Sequence, residues 1–194
     1  VETNRARNAL DMAAAGRRVL GVSSGFPGVF AMAAVVYEVL ETDPARWQDV
    51  DITVLPGITA MLAAAARVGA PLGHDFCVIN LSDNLKPWSL IEQRLQLALQ
   101  ADFAMAFYNP RSKSRPEGFE KTLQTLKSYG EEDRPVIFAR AVSTPEEHIM
   151  IVSLAEAQPD MADMQTVVLV GSSQTRTLSH KGAMLAYTPR SIKS

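Results

Sequence analysis

The chain has 194 residues, of which 47% are hydrophobic and 21% charged, a composition that provides an apolar core and excludes an intrinsically disordered protein. Its formal net charge of −2 gives no overall attraction to nucleic acid, so any site for an anion must come from a local cluster of cations. The single cysteine, Cys77, excludes an internal disulfide, and three widely spaced histidines give no metal-binding pattern.

The sequence also argues against a membrane or secreted protein. The longest apolar run, residues 29–40, contains Glu38 and falls short of the roughly 20 residues that span a bilayer. The first residues lack the basic, apolar and small-residue order of a signal peptide. We therefore expect a cytoplasmic protein without a membrane or nucleic-acid partner and without a bound metal.

Residues 1–73 are predicted to form a first α/β lobe. A helix over residues 2–15 ends at Gly16, and a strand over 18–23 leads through a Gly/Pro loop to a helix over 29–40. A second strand over 52–55 and a helix over 59–68 complete the lobe. Because the helix comes before the first strand, we expect the chain to begin partway through an α/β unit.

Residues 74–194 are predicted to form a second α/β lobe around a mixed sheet. Strands are expected over residues 76–81, 103–108, 136–139, 149–152 and 166–170. Helices are expected over 88–99 and 117–129, with a short helical stretch at 154–157. Since only that short stretch connects the last two strands, we do not expect all five strands to be parallel.

Four predicted loops follow strands, where ligands of α/β proteins collect. They are residues 24–28, 56–59, 109–116 and 171–176, and their glycines and short hydroxyl side chains suit a small polar ligand. None of them is a GxGxxG or GxxxxGK[ST] motif, so nicotinamide and P-loop nucleotide sites lack their signatures. Each loop taken alone is more typical of an ordinary tight turn.

The loop over residues 109–116 carries three cations, Arg111, Lys113 and Arg115, on a chain that is acidic overall. Arginine pairs bidentately with carboxylates, so this loop either clamps a polycarboxylate substrate or is a solvated basic loop. No GxSxG motif is present, and Cys77 lies in an apolar run typical of an inert core thiol, so covalent catalysis has no candidate residue.

Six segments together resemble the tetrapyrrole methylase family in order and spacing. They are SSGFPGVFAMA, LPGITAMLAAAARVGAPLGHDF, NLSDNLKPW, FYNPRSKSRP, ARAVSTPEEH and VGSSQTR. PGITA is shared across the family, whereas SDNLKPW and FYNPRSKSRP are typical of the branch that methylates ring carbon 17. The resemblance implies a two-lobed α/β fold, a homodimer, S-adenosylmethionine held between the lobes and a tetrapyrrole in an adjoining trough.

The resemblance also implies residue roles. Cofactor contacts are expected from Gly25, Phe26, Val29, Thr59, Ala60, Tyr108, Asn109, Ala141, Val142 and Gly171. Substrate carboxylates are expected to face Arg111, Lys113 and Arg115. Asp83 follows a predicted strand and is a candidate general acid or base, although a carboxylate in that position is also typical of a turn cap.

The implied reaction is methylation of precorrin-3B at carbon 17 with contraction of the ring, which gives precorrin-4 and S-adenosylhomocysteine. One alternative is methylation of the cobalt-containing counterpart, cobalt-factor III. Another is a non-catalytic homologue that has lost cofactor binding. Phe26 stands where the family usually has Asp, and the family's opening strand and first cofactor loop are expected to lie before Val1.

Overall fold

The computed structural model describes residues 2–129 and 131–191. The chain divides into two compact units, Val1–Thr59 and Ala60–Ser194. The division falls before the helix α3 (Ala60–Val68) because the buried residues Ala64, Ala65 and Val68 of that helix join a core cluster of the second unit. The lobe boundary expected after residue 73 stays a prediction.

The first unit is built on two helices, α1 (Glu2–Ala14) and α2 (Met32–Thr42). A 3₁₀ turn, Pro44–Trp47, follows α2. Their apolar faces meet around the buried residues Leu10, Val39 and Trp47. The Trp47 indole donates a hydrogen bond to the Asp11 carboxylate at 2.9 Å, so the buried ring keeps a partner for its N–H group. Both helices were predicted, with shifted ends.

Two predicted strands of the first unit are wrong. Residues 18–23 and 52–55 are not strands, and no ladder of backbone hydrogen bonds pairs them with a neighbour within residues 2–59. Leu20, Val22 and Leu55 are 78%, 85% and 63% exposed, so the apolar runs that suggested buried strands are not covered in the described part of the chain. A strand requires a paired neighbour in addition to β-forming residues.

The second unit contains a mixed five-stranded sheet, as predicted. Its strands are β2 (Phe76–Asn80), β3 (Ala104–Tyr108), β4 (Pro135–Arg140), β5 (His148–Ser153) and β6 (Thr166–Val170). They lie in the order β2-β3-β6-β4-β5. β2 and β3 are parallel, whereas β6 runs antiparallel to both β3 and β4. The carboxyl ends of β2, β3 and β4 therefore lie at one edge of the sheet.

Two further helices of this unit are α4 (Trp88–Gln100) and α5 (Gly118–Lys127). Their buried side chains, such as Ile91, Leu95 and Leu123, share a core cluster with Phe107 and Phe138 of the sheet. The α3 residues belong to a second cluster with other sheet residues. The five-stranded sheet is therefore packed on both faces. The predicted helical stretch at residues 154–157 is a turn instead, and a 3₁₀ turn, Pro159–Met161, follows it.

A three-stranded sheet was not predicted. It consists of β1 (Gly69–Ala70), β7 (Arg176–His180) and β8 (Ala183–Tyr187). β7 is exposed along its whole length, so it lacks the apolar alternation that marks a strand. The turn between β7 and β8 holds Lys181 at φ 50° and Gly182 at φ 79°, the backbone of a two-residue hairpin turn. The pair Lys181-Gly182 was the sequence feature that could have indicated this hairpin. In the described residues, no helix is long and apolar enough to cross a membrane.

Candidate active site

The shared edge of the five-stranded sheet gathers several of the predicted site residues. Asn80 ends β2, Tyr108 ends β3 and Arg140 ends β4. Asn109 directly follows β3, and Ala141 directly follows β4. These two predicted cofactor contacts therefore lie at the ends of the two strands that flank β6. Loops at the carboxyl ends of such strands are where α/β proteins bind ligands.

Asn109 has an unusual backbone. Its φ is 52°, in the left-handed region, where Asn is one of the few residues tolerated besides glycine. Its side-chain amide donates to Asn80 Oδ1 at 3.1 Å, and the same oxygen accepts the Ser82 backbone N–H at 2.9 Å. One side-chain oxygen thus connects the loops that follow β2 and β3.

Tyr108 connects the same edge to α3. Its hydroxyl accepts the backbone N–H of Met61 at 3.0 Å, which satisfies one of the free donors in the first turn of that helix. Tyr108, Met61 and Val142 all pack against the cluster that contains the buried face of α3. The first turn of α3, which begins at Ala60, therefore packs in the same cluster as Tyr108 and Val142, two further predicted cofactor contacts.

The loop after β4 is held by several hydrogen bonds. Ala141 and Ser143 have φ values of 47° and 66°. One carboxylate oxygen of Glu147 accepts the Ser143 backbone N–H at 2.6 Å and Arg67 Nε at 3.1 Å. The Ser143 N–H, more than the Arg67 guanidinium, lowers the pKa of Glu147. Strained backbone that is fixed in this way is frequent at ligand sites.

Gly171 lies elsewhere. It follows the carboxyl end of β6, which runs antiparallel to β3, so it is found at the opposite edge from Asn109 and Ala141. Its carbonyl oxygen accepts Arg134 Nη1 at 3.1 Å, and the Arg134 guanidinium also pairs with Asp102 and Glu131. The structure therefore does not bring Gly171 together with the other predicted contacts of the second unit.

In the first unit, the loops over residues 24–28 and 56–59 touch each other. A Cβ on Gly57 would lie 2.3 Å from the Gly25 carbonyl oxygen, and a Cβ on Gly25 would lie 3.3 Å from the Ile58 oxygen. Both positions therefore require glycine. Thr59 is buried, and Ser23 Oγ is buried without a hydrogen-bond partner among the described residues, which suits a polar ligand at these loops.

Phe26 lies over its own loop. The ring would be 2.8 Å from a Cβ on Gly28, so the aromatic side chain packs on the Gly28 backbone. The Phe26 carbonyl accepts the Val29 N–H at 3.1 Å, and the Pro27 carbonyl accepts the Ala33 N–H at 3.1 Å, which leads the loop into α2. Phe26 thus has a packing role that an Asp at this position would not have.

The basic loop separates its three cations. Ser112 and Arg115 exchange backbone hydrogen bonds of 3.3 and 3.1 Å, which folds residues 112–115 into a tight turn. Arg115 lines a cavity of about 280 Å³. Arg111 and Lys113 do not line it.

The same cavity contains Asp83, the candidate acid or base. Its walls also include Leu81, Trp88, Ser114, Pro116, Glu117, Gly118 and Lys121. The segments SDNLKPW and FYNPRSKSRP, which are typical of one branch of the family, thus both contribute residues to one cavity. Trp88 and Lys121 were not among the predicted site residues, because a tryptophan at a helix start and a lysine in an exposed helical turn carry no local signature.

Two further observations concern reactive groups. Burial raises the pKa of the Cys77 thiol to about 11, which keeps it protonated at neutral pH. Within residues 2–129 and 131–191, no three His, Cys, Asp or Glu side chains are grouped so that they could hold a metal ion.

Known proteins resemble this chain over most of its length. The family described as Tetrapyrrole (Corrin/Porphyrin) Methylases matches residues 2–158. A precorrin-3B C(17)-methyltransferase of a Sinorhizobium species is 52% identical over 190 residues, which cover 97% of this chain and 75% of that protein. A cobalt-factor III methyltransferase of Priestia megaterium is 41% identical over 175 residues, which cover 90% of this chain and 32% of that protein.

Solved structures agree with the sequence matches. The crystal structure of the methyltransferase CobJ has a TM-score of 0.92 and 59% identity, with 97% of this chain and 77% of that chain covered. The uroporphyrin-III C-methyltransferase of Thermus thermophilus, solved with S-adenosylhomocysteine, has a TM-score of 0.63 and 19% identity, with 88% of this chain and 73% of that chain covered. The first similarity confirms the two-lobed α/β fold, and the second concerns the fold alone.

Proposed function

Because this chain belongs to the tetrapyrrole (corrin/porphyrin) methylase family, we propose that it is an S-adenosylmethionine-dependent methyltransferase that methylates precorrin-3B at ring carbon 17 in cobalamin biosynthesis. The observation that carries the proposal is the 52% identity to a precorrin-3B C(17)-methyltransferase over 97% of the chain. The methylation is coupled to contraction of the macrocycle, and the products are precorrin-4 and S-adenosylhomocysteine.

The residues of the second unit fit a cofactor that is polar and flexible. Ala60, Tyr108, Asn109, Ala141 and Val142 are the proposed contacts. The left-handed backbone at positions 109 and 141 turns the chain sharply after each strand, and such strained backbone is frequent at ligand sites.

The residues of the first unit also fit. Gly25, Phe26, Val29 and Thr59 are the proposed contacts there. The close approach of Gly25 and Gly57 and the unpartnered Ser23 hydroxyl support a ligand at these loops.

The bound cofactor would supply a methyl group on a sulfonium, which is already activated for displacement. The work of the protein is then to orient the nucleophilic ring carbon in line with that methyl group and to exclude water. Arg111, Lys113 and Arg115 are proposed to orient the macrocycle through its carboxylates. A covalent nucleophile is not needed, which agrees with the protonated Cys77.

Asp83 is proposed as the general acid or base of ring contraction. It is exposed just after β2 and lines the cavity beside Arg115, so its carboxylate can exchange a proton with solvent and with a bound substrate. Replacement by Asn keeps the shape and removes the proton exchange. We expect Asp83→Asn to lower kcat with little change in KM, and an unchanged kcat would exclude this role.

The cobalt-containing substrate is the alternative of the same class. The precorrin-3B relative is 52% identical and the cobalt-factor III relative 41%, so the metal-free substrate is favoured. Turnover of each substrate, followed by the mass and absorption spectrum of the product, tests this choice. Faster turnover of cobalt-factor III would reverse it.

A non-catalytic homologue is the alternative of another class, and only the Phe26 position favours it. Titration of S-adenosylhomocysteine by calorimetry tests this alternative. A folded protein that does not bind S-adenosylhomocysteine would favour it.

We further propose that the protein is a homodimer and acts in the cytoplasm. Sedimentation velocity tests the homodimer, since a monomer at micromolar concentration would contradict it.

A further inference from the structure

The cavity lined by Asp83, Trp88, Arg115 and Lys121 is too small to hold a tetrapyrrole. Its volume is about 280 Å³, below the ~300–1,000 Å³ of pockets that enclose a drug-sized ligand. A cavity of this size instead suits one side chain of a larger molecule. The residues of segments 81–88 and 114–121 line this cavity, and their charge and polarity determine which kind of side chain can enter.

The charges around the cavity favour an anion. Arg115 and Lys121 line it, and Lys86 interacts electrostatically with Arg115 and Asp83 of the lining and with Arg94 outside it. Only two carboxylates, Asp83 and Glu117, line the cavity. These two carboxylates balance the two lining cations, so the excess of positive charge comes from Lys86 and its neighbour Arg94.

Lys86 reports the repulsion between these cations. Burial, Arg94 and Arg115 lower the pKa of Lys86, and Asp83 only partly opposes them. Its ammonium group donates to the Ser82 carbonyl at 2.9 Å, so it is held in place. A bound anion would relieve this repulsion.

The two lining cations have donors to offer. Within the described residues, the only side-chain hydrogen bond of Arg115 goes to the sulfur of Met164 at 3.8 Å, and a thioether is a weak acceptor. Lys121 pairs with Glu117 at 3.3 Å, but both side chains are at least half exposed, and such a helix pair is worth only ~0.3–0.5 kcal/mol. Both cations can therefore turn to a ligand at small cost.

Trp88 provides the apolar wall. The Lys121 ammonium lies 5.9 Å from the centre of its ring, and a Cβ on Gly118 would lie 3.5 Å from the ring edge. The indole therefore lies against the start of α5. A cationic end beside a flat apolar wall fits an aliphatic chain that ends in a carboxylate.

We propose that this cavity is a subsite for one peripheral carboxylate of the tetrapyrrole, bound by Arg115 and Lys121 against Trp88, with Lys86 as a supporting cation. The inference rests on the proposed function and deepens it. It selects Arg115 from the three predicted cations, gives a role to Lys86 and Trp88 of the segment SDNLKPW, and adds Lys121, which lies outside the six segments.

The test separates binding from turnover. Uroporphyrin III, an octacarboxylic tetrapyrrole, and its amide derivative are titrated into the protein, and binding is followed by quenching of tryptophan fluorescence. Arg115→Met and Lys121→Met remove one charge each at similar length, and Arg190→Met is the control at an exposed cation outside the cavity. We expect each cavity variant to weaken binding of the acid roughly tenfold or more and to bind the amide as the wild type does.

Turnover with precorrin-3B then distinguishes the two proposals. An increase in KM for the tetrapyrrole, with an unchanged KM for S-adenosylmethionine, supports the subsite. If the protein methylates precorrin-3B but both cavity variants match Arg190→Met in every measurement, the subsite is overturned and the function stands. If no methyl group is transferred but the acid still binds through Arg115 and Lys121, the function fails and the subsite stands.

Discussion

The side-chain amide of Asn109 donates to Asn80 Oδ1 at 3.1 Å, and this bond joins the ends of two parallel strands while Asn109 itself is left-handed at φ 52°. Two properties of one residue therefore position the edge at which the cofactor is proposed to bind. The backbone turns the chain after β3, and the side chain fixes the neighbouring loop.

Substitution of Asn109 separates these two roles. Both Asn109→Ala and Asn109→Gly lose the amide. Alanine keeps a Cβ in the left-handed region without the side-chain hydrogen bonds that let Asn tolerate it, which costs about 1–2 kcal/mol, whereas glycine adopts this conformation freely. We expect Asn109→Ala to bind S-adenosylhomocysteine more weakly than Asn109→Gly, as measured by calorimetry. Equal affinities would show that the backbone conformation does not matter for binding.

Gly57 is predicted to be irreplaceable. A Cβ at this position would lie 2.3 Å from the Gly25 carbonyl, so Gly57→Ala forces the two loops of the first unit apart. We expect on the order of a tenfold or greater loss of affinity for S-adenosylhomocysteine, since small displacements in a binding site are costly. Gly21→Ala is the matched control, because nothing lies within 4 Å of its Cβ position. Similar affinities for both variants would contradict this account of the loops.

The sequence predicted the second unit better than the first. The strands of the large sheet follow from apolar runs such as residues 166–170, and its mixed character follows from the short connection between the last two strands. The segments 18–23 and 52–55 have similar composition but no paired neighbour among residues 2–129 and 131–191, which local composition cannot reveal. Gly171 shows a related limit, since only the antiparallel direction of β6 places it at the opposite edge. Trp88 and Lys121 entered the candidate site only through packing between distant segments.

The Glu147 carboxylate should stabilise the loop after β4 in a pH-dependent way. The Ser143 N–H lowers its pKa below the ordinary value of 4.5, so the stabilising contribution is present above that pH and is lost as pH falls through the lower folded value. Glu147→Gln should therefore reduce the urea midpoint at neutral pH, and the difference should shrink in acid. Glu92→Gln, at an exposed position beyond the first turn of α4, should match the wild type throughout. A difference that does not change with pH would contradict this role of the charge.

The Asp102 carboxylate should contribute to the stability of the second unit. It pairs at 2.9 Å with Arg134, whose side chain is 2% exposed, and it also accepts the Ser173 backbone N–H at 2.8 Å. Asp102→Asn removes the charge, and asparagine tolerates the left-handed backbone of this residue, whose φ is 53°. We expect a loss of about 1–2 kcal/mol in the free energy of unfolding, low in the range for charged hydrogen bonds because Asp102 is 39% exposed. Urea denaturation measures this loss, and Asp160→Asn, at an exposed position, should show none.

Cys77 should react slowly in the folded protein. Its pKa of about 11 lies above the ordinary value of 9.0, so the thiolate is scarce below pH 9 and forms only as pH rises towards 11. We expect iodoacetamide to label the folded protein much more slowly at pH 8 than the urea-unfolded protein, as followed by mass spectrometry. Equal rates would contradict the burial of the thiol.

The most direct test of the proposed activity is transfer of an isotope-labelled methyl group from S-adenosylmethionine to precorrin-3B, followed by mass spectrometry of the tetrapyrrole. The account predicts one labelled methyl group per macrocycle, a product with the absorption spectrum of the contracted ring, and an equal amount of S-adenosylhomocysteine. A folded protein that binds S-adenosylhomocysteine but leaves precorrin-3B unlabelled would contradict it.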